Sequence, residues 1–524
     1  MAQWNKTTQD YRSQDRSLHE VMMLADEYGN IVSPGATAKS AFGETLTVPV
    51  TPVVQHDAIY DIDPTKFETF TYGGGTAQSV DSHFEVSAGA TAYSYAVLRS
   101  KRFVRYRPGQ GCVARFTAAF SANPVGFTQR AGFFNQEQAL QIGYDHTNAK
   151  FGILRANGGK AHIHNFRFTA LADGDITITI NDTPFAPVTV AGGSIAANIA
   201  ALVAGLKLQP LFNALYLVEY NADDITFLAT SLGPQTGTNT VTSNGTTVTF
   251  TSSHLQAGVV QTENWVYQED WNLDKLDGTG TSGVTLDPSK LNVYQINFRW
   301  LGAGEMRYGI ENPLNGDMIF FHNEHYSNTY NTPHLDNPSM KIGYVAANLG
   351  NPGSGSVSVT GASMMGAIEG IIRQTSNPQA ASGSRSDSMN SPGSVYHLLS
   401  VKNRLCYRDK INTRDLIVKS ISAGVTTTAS APAVLYVYYH PTVPVNLQWK
   451  DMGAYNASYY ATGQFIITNP PQPIAVFEFT SGSAINIDIS HLFIHLPPNS
   501  YLSIGVSSTS NMSAASAGLI FVED

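Results

Sequence analysis

The sequence predicts a mainly β, multi-domain protein: an antiparallel β-sandwich of jelly-roll-like type, carrying a small inserted α+β module and followed by a C-terminal β domain. Three observations lead there. Alternation of apolar and polar residues dominates, in short runs such as ETLTVPVTPVV, DITITIND, TTVTFTSS, SVSVTG, VLYVYYH and AVFEFT, each closed by Gly, Pro or Asn. At 524 residues the chain exceeds what one hydrophobic core usually supports. Charged residues make up 14%, against roughly 25% in ordinary soluble domains, and Ser, Thr, Asn and Gly fill the polar positions instead. Such surfaces suit docking onto neighbours.

Taken in order, residues 1–40 are polar and read as an N-terminal docking arm, ordered only where a partner holds it. Within it, VMMLADEYGNIV alternates around a DEYGN turn, the pattern of a hairpin. Residues 41–170 and 257–345 supply the central sandwich. Residues 171–256 form the inserted module: a hairpin, then GGSIAANIAALVAGLK as a helix capped by Ser194 and ending near Gly205, then strands again. The Gly/Ser-rich composition of 346–399 predicts a linker region, and 400–524 returns to short strands as the C-terminal domain.

Composition also excludes several roles. A net charge of -9 argues against a dedicated nucleic-acid binder. Cys112 and Cys406 are the only cysteines, so neither a disulfide scaffold nor a CxxC motif is available. The opening MAQWNKTTQDYRSQDRSLHE lacks the apolar core of a secretory signal, and no run reaches the roughly 18 apolar residues of a membrane-spanning helix. The expectation is synthesis in a cytoplasm without membrane insertion, and no cofactor.

Histidines raise the metal question. HNEHYSNTYNTPH brings His322, Glu324, His325 and His334 together, but on a strand His322 shares a face with Glu324 while His325 points away. The expected reading is a polar strand end with its loop. AHIHN sets His162 and His164 on one strand face, better placed to chelate, yet no third ligand is local. A metal on a symmetry axis, with each subunit giving its pair, would complete the set.

Three further clusters carry candidate chemistry. VLRSKRFVRYRPGQG places Arg99, Lys101, Arg105 and Arg107 on one face of an implied strand, and like charges side by side need neutralising. The expected neutraliser is the acidic face of an adjacent subunit, with a charge-protected edge strand as the alternative. QTENWVYQEDW puts Trp265, Tyr267 and Trp271 on one face beside Glu269, either as a core or as a platform on which a sugar stacks. Glu305 and Glu311 lie in FRWLGAGEMRYGIENP, read as strand, LGAGE turn and strand, and are the candidate acids of a polysaccharide hydrolase, which needs two carboxyls about 5–9.5 Å apart. Asp274 and Asp277 near Gly278 lack EF-hand spacing.

Four blocks carry a family resemblance: SAFGETLTVPVTPVVQ, LRSKRFVRYRPGQGCVARFTAAFS, QALQIGYDHTNAKFGILRANGGK and the long stretch LDGTGTSGVTLDPSKLNVYQINFRWLGAGEMRYGIENPLNGDMIFFHNEHYSNTYNTPHLDNP. In order and spacing they resemble virion structural proteins of tailed bacteriophages and other large DNA viruses, over about residues 40–340 apart from the module. His322, Tyr326, Asn328 and Pro333 fit that pattern, whereas Glu324, His325 and Ser327 depart from it. The resemblance implies a non-enzymatic fibre, spike or head–tail decoration protein, located in a virion. It implies self-association, with a trimer expected, docking to other virion proteins through the arm, and contact with a host glycan or receptor. No catalytic residue is carried over.

Overall fold

The computed structural model describes residues 50–524 apart from 351–354, 373–375, 388, 440–446 and 454, together with two short strands ahead of them. Those strands, Leu24–Ala25 and Ile31–Val32, pair antiparallel and form the expected hairpin around DEYGN. The remainder of the proposed arm lies outside the described residues.

The chain builds a multi-domain antiparallel β-sandwich protein. The first sandwich stacks two sheets over one core. Seven strands form the first sheet, in the order Thr262–Tyr267, Phe151–Asn157, Ala139–Tyr144, Phe127–Phe134, Lys341–Asn348, Tyr95–Ser100 and Phe67–Tyr72. Nine form the second: Met318–Glu324, Met306–Glu311, Asn292–Phe298 and Cys112–Phe120, joined to Val357–Gly361, His83–Ala88 and Thr76–Val80, with Ser363–Glu369 and Val50–Asp57 alongside. Aromatic residues interdigitate between them; Phe133 meets Phe298 edge-on at 5.5 Å, and Phe120 meets Phe151 at the same separation.

Two of the expected boundaries move. The described residues of 346–399 are built into the two sandwiches rather than forming a linker. Val357, Val359, Met364 and Ile368 belong to the core of the first sandwich, and Pro378–Arg385 is a strand of the second. Glycine there permits contact rather than flexibility. A Cβ on Gly361 would sit 2.2 Å from Thr117 O, and one on Gly383 would sit 2.2 Å from Leu398 O. The inserted module begins earlier than residue 171, because Ala161–Leu171 already lies in its sheet with Asp224–Leu232, Tyr216–Tyr220 and Val248–Gln256.

The module is an excursion from one strand pair. Phe151–Asn157 and Thr262–Tyr267 are hydrogen-bonded neighbours, ending at the Asn157↔Thr262 pair, and a further Lys160↔Val259 bridge closes its neck. Its helix, Ile195–Lys207, starts where expected, with Ser194 Oγ accepting from Ala197 N at 3.3 Å. Its core continues into the C-terminal domain through Leu447, Trp449, Tyr459 and Ala461.

That last domain, from Pro378 to the C-terminus, is a second sandwich. A five-stranded sheet built on Met512–Glu523 and Leu416–Thr427 faces a six-stranded sheet built on Tyr396–Asn403 and Tyr501–Ser508. Both cysteines are buried free thiols, and burial pushes each above the ordinary thiol range. No helix among the described residues is long and apolar enough to cross a membrane.

Candidate functional site

A cleft of about 610 Å³ opens at the edge of the seven-stranded sheet. One contributor is the turn joining Ala139–Tyr144 to Phe151–Asn157. This turn is closed by Asp145 N to Lys150 O and Ala149 N to Asp145 O, both 3.0 Å, with Ala149 in the left-handed region at φ 52. The other is the edge strand Thr262–Tyr267 and the residues before it, whose Glu263, Trp265 and Tyr267 share a face by alternation.

Asp145 organises the turn. Its buried carboxylate accepts from Thr147 N (3.0 Å), Asn148 N (3.1 Å), Asn148 Nδ2 (2.8 Å) and the Tyr267 hydroxyl (2.8 Å). Burial alone would raise this carboxyl; the bonds from Thr147, Tyr267 and Asn148 outweigh it and hold it below the usual carboxylate range. Asn148 Nδ2 also reaches the Tyr267 hydroxyl at 2.7 Å, so turn and edge strand are tied together. Glu263 is fixed in the same way, accepting from Arg130 (3.0 Å), Gln261 (3.1 Å) and the Trp265 indole (3.1 Å). The cleft therefore presents two half-buried aromatic rings among amide, carboxylate and hydroxyl groups whose positions are already set.

Of the three aromatics read as one platform, the structure keeps Trp265 and Tyr267 together in the cleft and removes Trp271. The strand ends at Tyr267, and a 3₁₀ turn, Gln268–Asp270, breaks the alternation. Trp271 is instead core, 3% exposed, with its ring 4.0 Å from Phe321 and its indole N–H donated to Val266 O at 3.3 Å.

Three of the four basic residues, Arg99, Arg105 and Arg107, face carboxylates of their own chain. Only Arg99 lies in the strand Tyr95–Ser100; it is buried, and its Nε donates to Glu68 at 2.8 Å. Beyond the strand, Arg105 and Arg107 both face the Asp524 carboxylate, at 3.9 Å for Arg105. Their neighbour Arg102 pairs with Asp415 at 2.9 Å. The acidic face exists, but it belongs to the C-terminal domain. Burial lowers Lys101 and Arg105 below their usual values, against the pull of Glu68 on the first and Asp524 on the second.

The His322–His334 loop is structural. His322 is buried and accepts from Asn272 N at 3.3 Å, Glu324 pairs with Arg155 at 2.7 Å, and buried His334 contacts Gly302 O at 3.2 Å. Burial lowers both histidines to about 4, so they stay neutral. Glu305 and Glu311 do not form an acid pair. Glu305 is buried against Arg307 (2.7 Å) and Arg299 (3.3 Å), while Glu311 ends the strand that starts at Met306, roughly 20 Å away at strand rise. Asp274 and Asp277 accept backbone N–H groups of their own loop, from Leu276, Ser282 and Thr279.

His162 and His164 do share a face, and the structure adds a residue the sequence reading missed: His254 of the adjacent strand, with the ligand atoms of all three within 4.8 Å of one another. No symmetry axis is needed to bring a third imidazole. Separation by ninety residues hid it, and the only trace in the sequence is the single histidine in TTVTFTSSHLQ.

No family model and no curated protein matches the chain. Among solved structures it is similar to the carbohydrate recognition domain of Emp46p in its metal-free form, at 9% identity over 59% of this chain and 90% of that one, TM-score 0.22. It is similar to arcelin-5, a lectin-like defence protein from Phaseolus vulgaris, at 8% identity over 60% and 97%, TM-score 0.21. A chain from the structure of infectious bursal disease virus, Gx strain, matches at 10% identity over 86% of this chain and 72% of that one, TM-score 0.16. Likeness at that level transfers no ligand or activity to this chain.

Proposed function

We propose that the chain is a non-enzymatic attachment protein that binds glycan in the cleft beside Asp145 and Tyr267. The observation that carries this is the pairing of Trp265 and Tyr267 with pre-positioned polar side chains in a space large enough for a small oligosaccharide. Sugars offer an apolar C–H face and a rim of hydroxyls; aromatic rings take the first, and fixed amides and carboxylates take the second. Asp145, Asn148 and Tyr267 are already hydrogen-bonded to one another, so little ordering remains to be done on binding.

A glycan array probed with the full chain, in parallel with Asn148→Ala and Tyr267→Ala, tests this. The expected result is binding to a restricted set of glycans that both substitutions weaken at least tenfold. Equal binding by wild type and both variants places any glycan site elsewhere. No binding to any glycan overturns the reading.

The setting we propose is the surface of a virus particle. The four blocks between residues 40 and 340 that resemble virion structural proteins support it. Removal of residues 1–40 is expected to abolish incorporation into particles while both sandwiches stay folded. Normal incorporation of the shortened chain would end the docking-arm proposal.

A further inference from the structure

His162 and His164 lie on the strand Ala161–Leu171, and His254 lies on its neighbour Val248–Gln256, an edge strand of the module. What brings His254 onto their face is a register shift. Ile163 pairs with Gln256, but His164 pairs with His254, so Leu255 is skipped. In unbroken register His164 would oppose Leu255, and His254 would point to the other side of the sheet. The irregularity is local and falls between the two histidines.

The nitrogens converge. His254 Nδ1 is 2.9 Å from His162 Nε2 and 3.4 Å from His164 Nδ1. A tetrahedral ion held about 2.0–2.1 Å from each nitrogen would set those nitrogens about 3.3–3.4 Å apart. The rings are oriented for it: His254 stands nearly perpendicular to both others, at 79° and 67°, with centroids 4.8 and 4.9 Å away. Supporting contacts are also present. His164 Nε2 lies 3.0 Å from Ser252 Oγ, a hydroxyl able to accept its N–H and leave Nδ1 as the ligand. His162 Nδ1 is 3.4 Å from Gly258 N, a long contact given up when His162 takes the Nδ1–H tautomer needed to ligate through Nε2. A Cβ on Gly258 would lie 1.9 Å from Gly233 O and 3.3 Å from the His162 Cβ, so the backbone approaches this closely only because the residue is glycine.

We propose that His162, His164 and His254 hold one divalent transition-metal ion of the Zn²⁺ class, with the fourth position open to solvent. The ligand set is all imidazole, which suits zinc, copper or nickel and disfavours calcium and magnesium, whose shells are oxygen. His162 and His164 are buried and His254 is exposed, so the ion is reached from the His254 side, where water or an external donor completes the shell. The ion clips the edge strand to the strand that leaves the first sandwich, next to the Lys160↔Val259 bridge at the neck of the module.

The test uses the full chain, stripped with EDTA and dialysed, then titrated with Zn²⁺ alone by calorimetry and with Co²⁺ alone by visible absorption. The expected result is one ion per chain and the strong ligand-field bands of tetrahedral Co²⁺. His254→Ala should weaken binding by at least the roughly 10–100-fold seen when even a supporting outer contact of a metal site is lost. His254→Cys should restore binding and add a thiolate-to-Co²⁺ charge-transfer band, a rescue that separates ligation from misfolding. His325→Ala, an exposed imidazole elsewhere, should bind as wild type does. Absence of Zn²⁺ binding, or unchanged affinity in His254→Ala, overturns the proposal. One ion per three chains would also overturn it, because the site would then be shared between copies.

Discussion

Replacing Glu68 by Gln should destabilise the first sandwich by about 3–5 kcal/mol, the usual cost of removing one partner from a buried charge cluster. The magnitude follows from the contacts. Glu68 Oε2 accepts from Arg99 Nε and Oε1 from Lys341 Nζ, both at 2.8 Å, with the three side chains only 14%, 4% and 4% exposed. Two charge-assisted bonds at roughly 1.5–3 kcal/mol each amount to about 3–6 kcal/mol, which covers that range. Arg99 stacks on Phe70 and Lys341 on Phe103, at 5.0 and 4.7 Å, which softens the loss without replacing the anion. Burial would raise the Glu68 carboxyl, yet Lys341 and Arg99 hold it at about 2; burial, helped by the Arg99 charge, pulls Lys341 down to about 8 against the pull of Glu68. The sign is therefore fixed. Glu68 contributes fully above its unfolded value near 4.5, and its contribution disappears as pH falls through about 2. The deficit of Glu68→Gln relative to wild type should be largest near neutrality, shrink toward acid, and shrink again above pH 8 as Lys341 sheds its proton. Differential scanning calorimetry across pH measures this; at about 2–4 °C per kcal/mol for a domain of this size, the shift at pH 7 is about 6–20 °C. A shift under about 2 °C, or a deficit independent of pH, would refute the reasoning.

Two other substitutions test the domain assignments. Gly383→Ala should destabilise the C-terminal sandwich by about 1–3 kcal/mol in urea denaturation, because the added methyl meets Leu398 O inside a packed strand pair; a neutral effect would restore the linker reading of that segment. Arg102→Ala removes the 2.9 Å bond to Asp415 and the 2.8 Å bond to Val53 O, and should increase protease cleavage between the two sandwiches with each still folded. Unchanged cleavage kinetics would show that the apolar contacts alone hold the domains together.

Much of the fold was legible because strand alternation is local. The hairpin around DEYGN, the Ser194 cap, the strand carrying His322 and the β-rich class all follow from spacing within a dozen residues. Most of the failures share one cause, which is dependence on distant chain. Ser and Gly in VSVTG and PQAASGSR resemble a flexible linker until the facing backbones at Thr117 and Leu398 are known. Arg102, Arg105 and Arg107 found their counter-charges at Asp415 and Asp524, more than three hundred residues on. Trp271 left its expected face because one short turn interrupted the strand. His254 joined its partners through a bulge that no periodicity records. The cleft was half visible: Trp265 and Tyr267 were singled out, while Asp145 and Asn148, which fix Tyr267, looked like an ordinary turn.

The glycan-binding proposal is tested most directly by tryptophan fluorescence during titration with a glycan that binds the array. With Trp265 in the cleft and Trp271 in the core, saturable quenching or a spectral shift should persist in Trp271→Phe and vanish in Trp265→Phe, provided both variants melt as folded proteins. A response that survives in Trp265→Phe and disappears in Trp271→Phe would contradict the placement of the site.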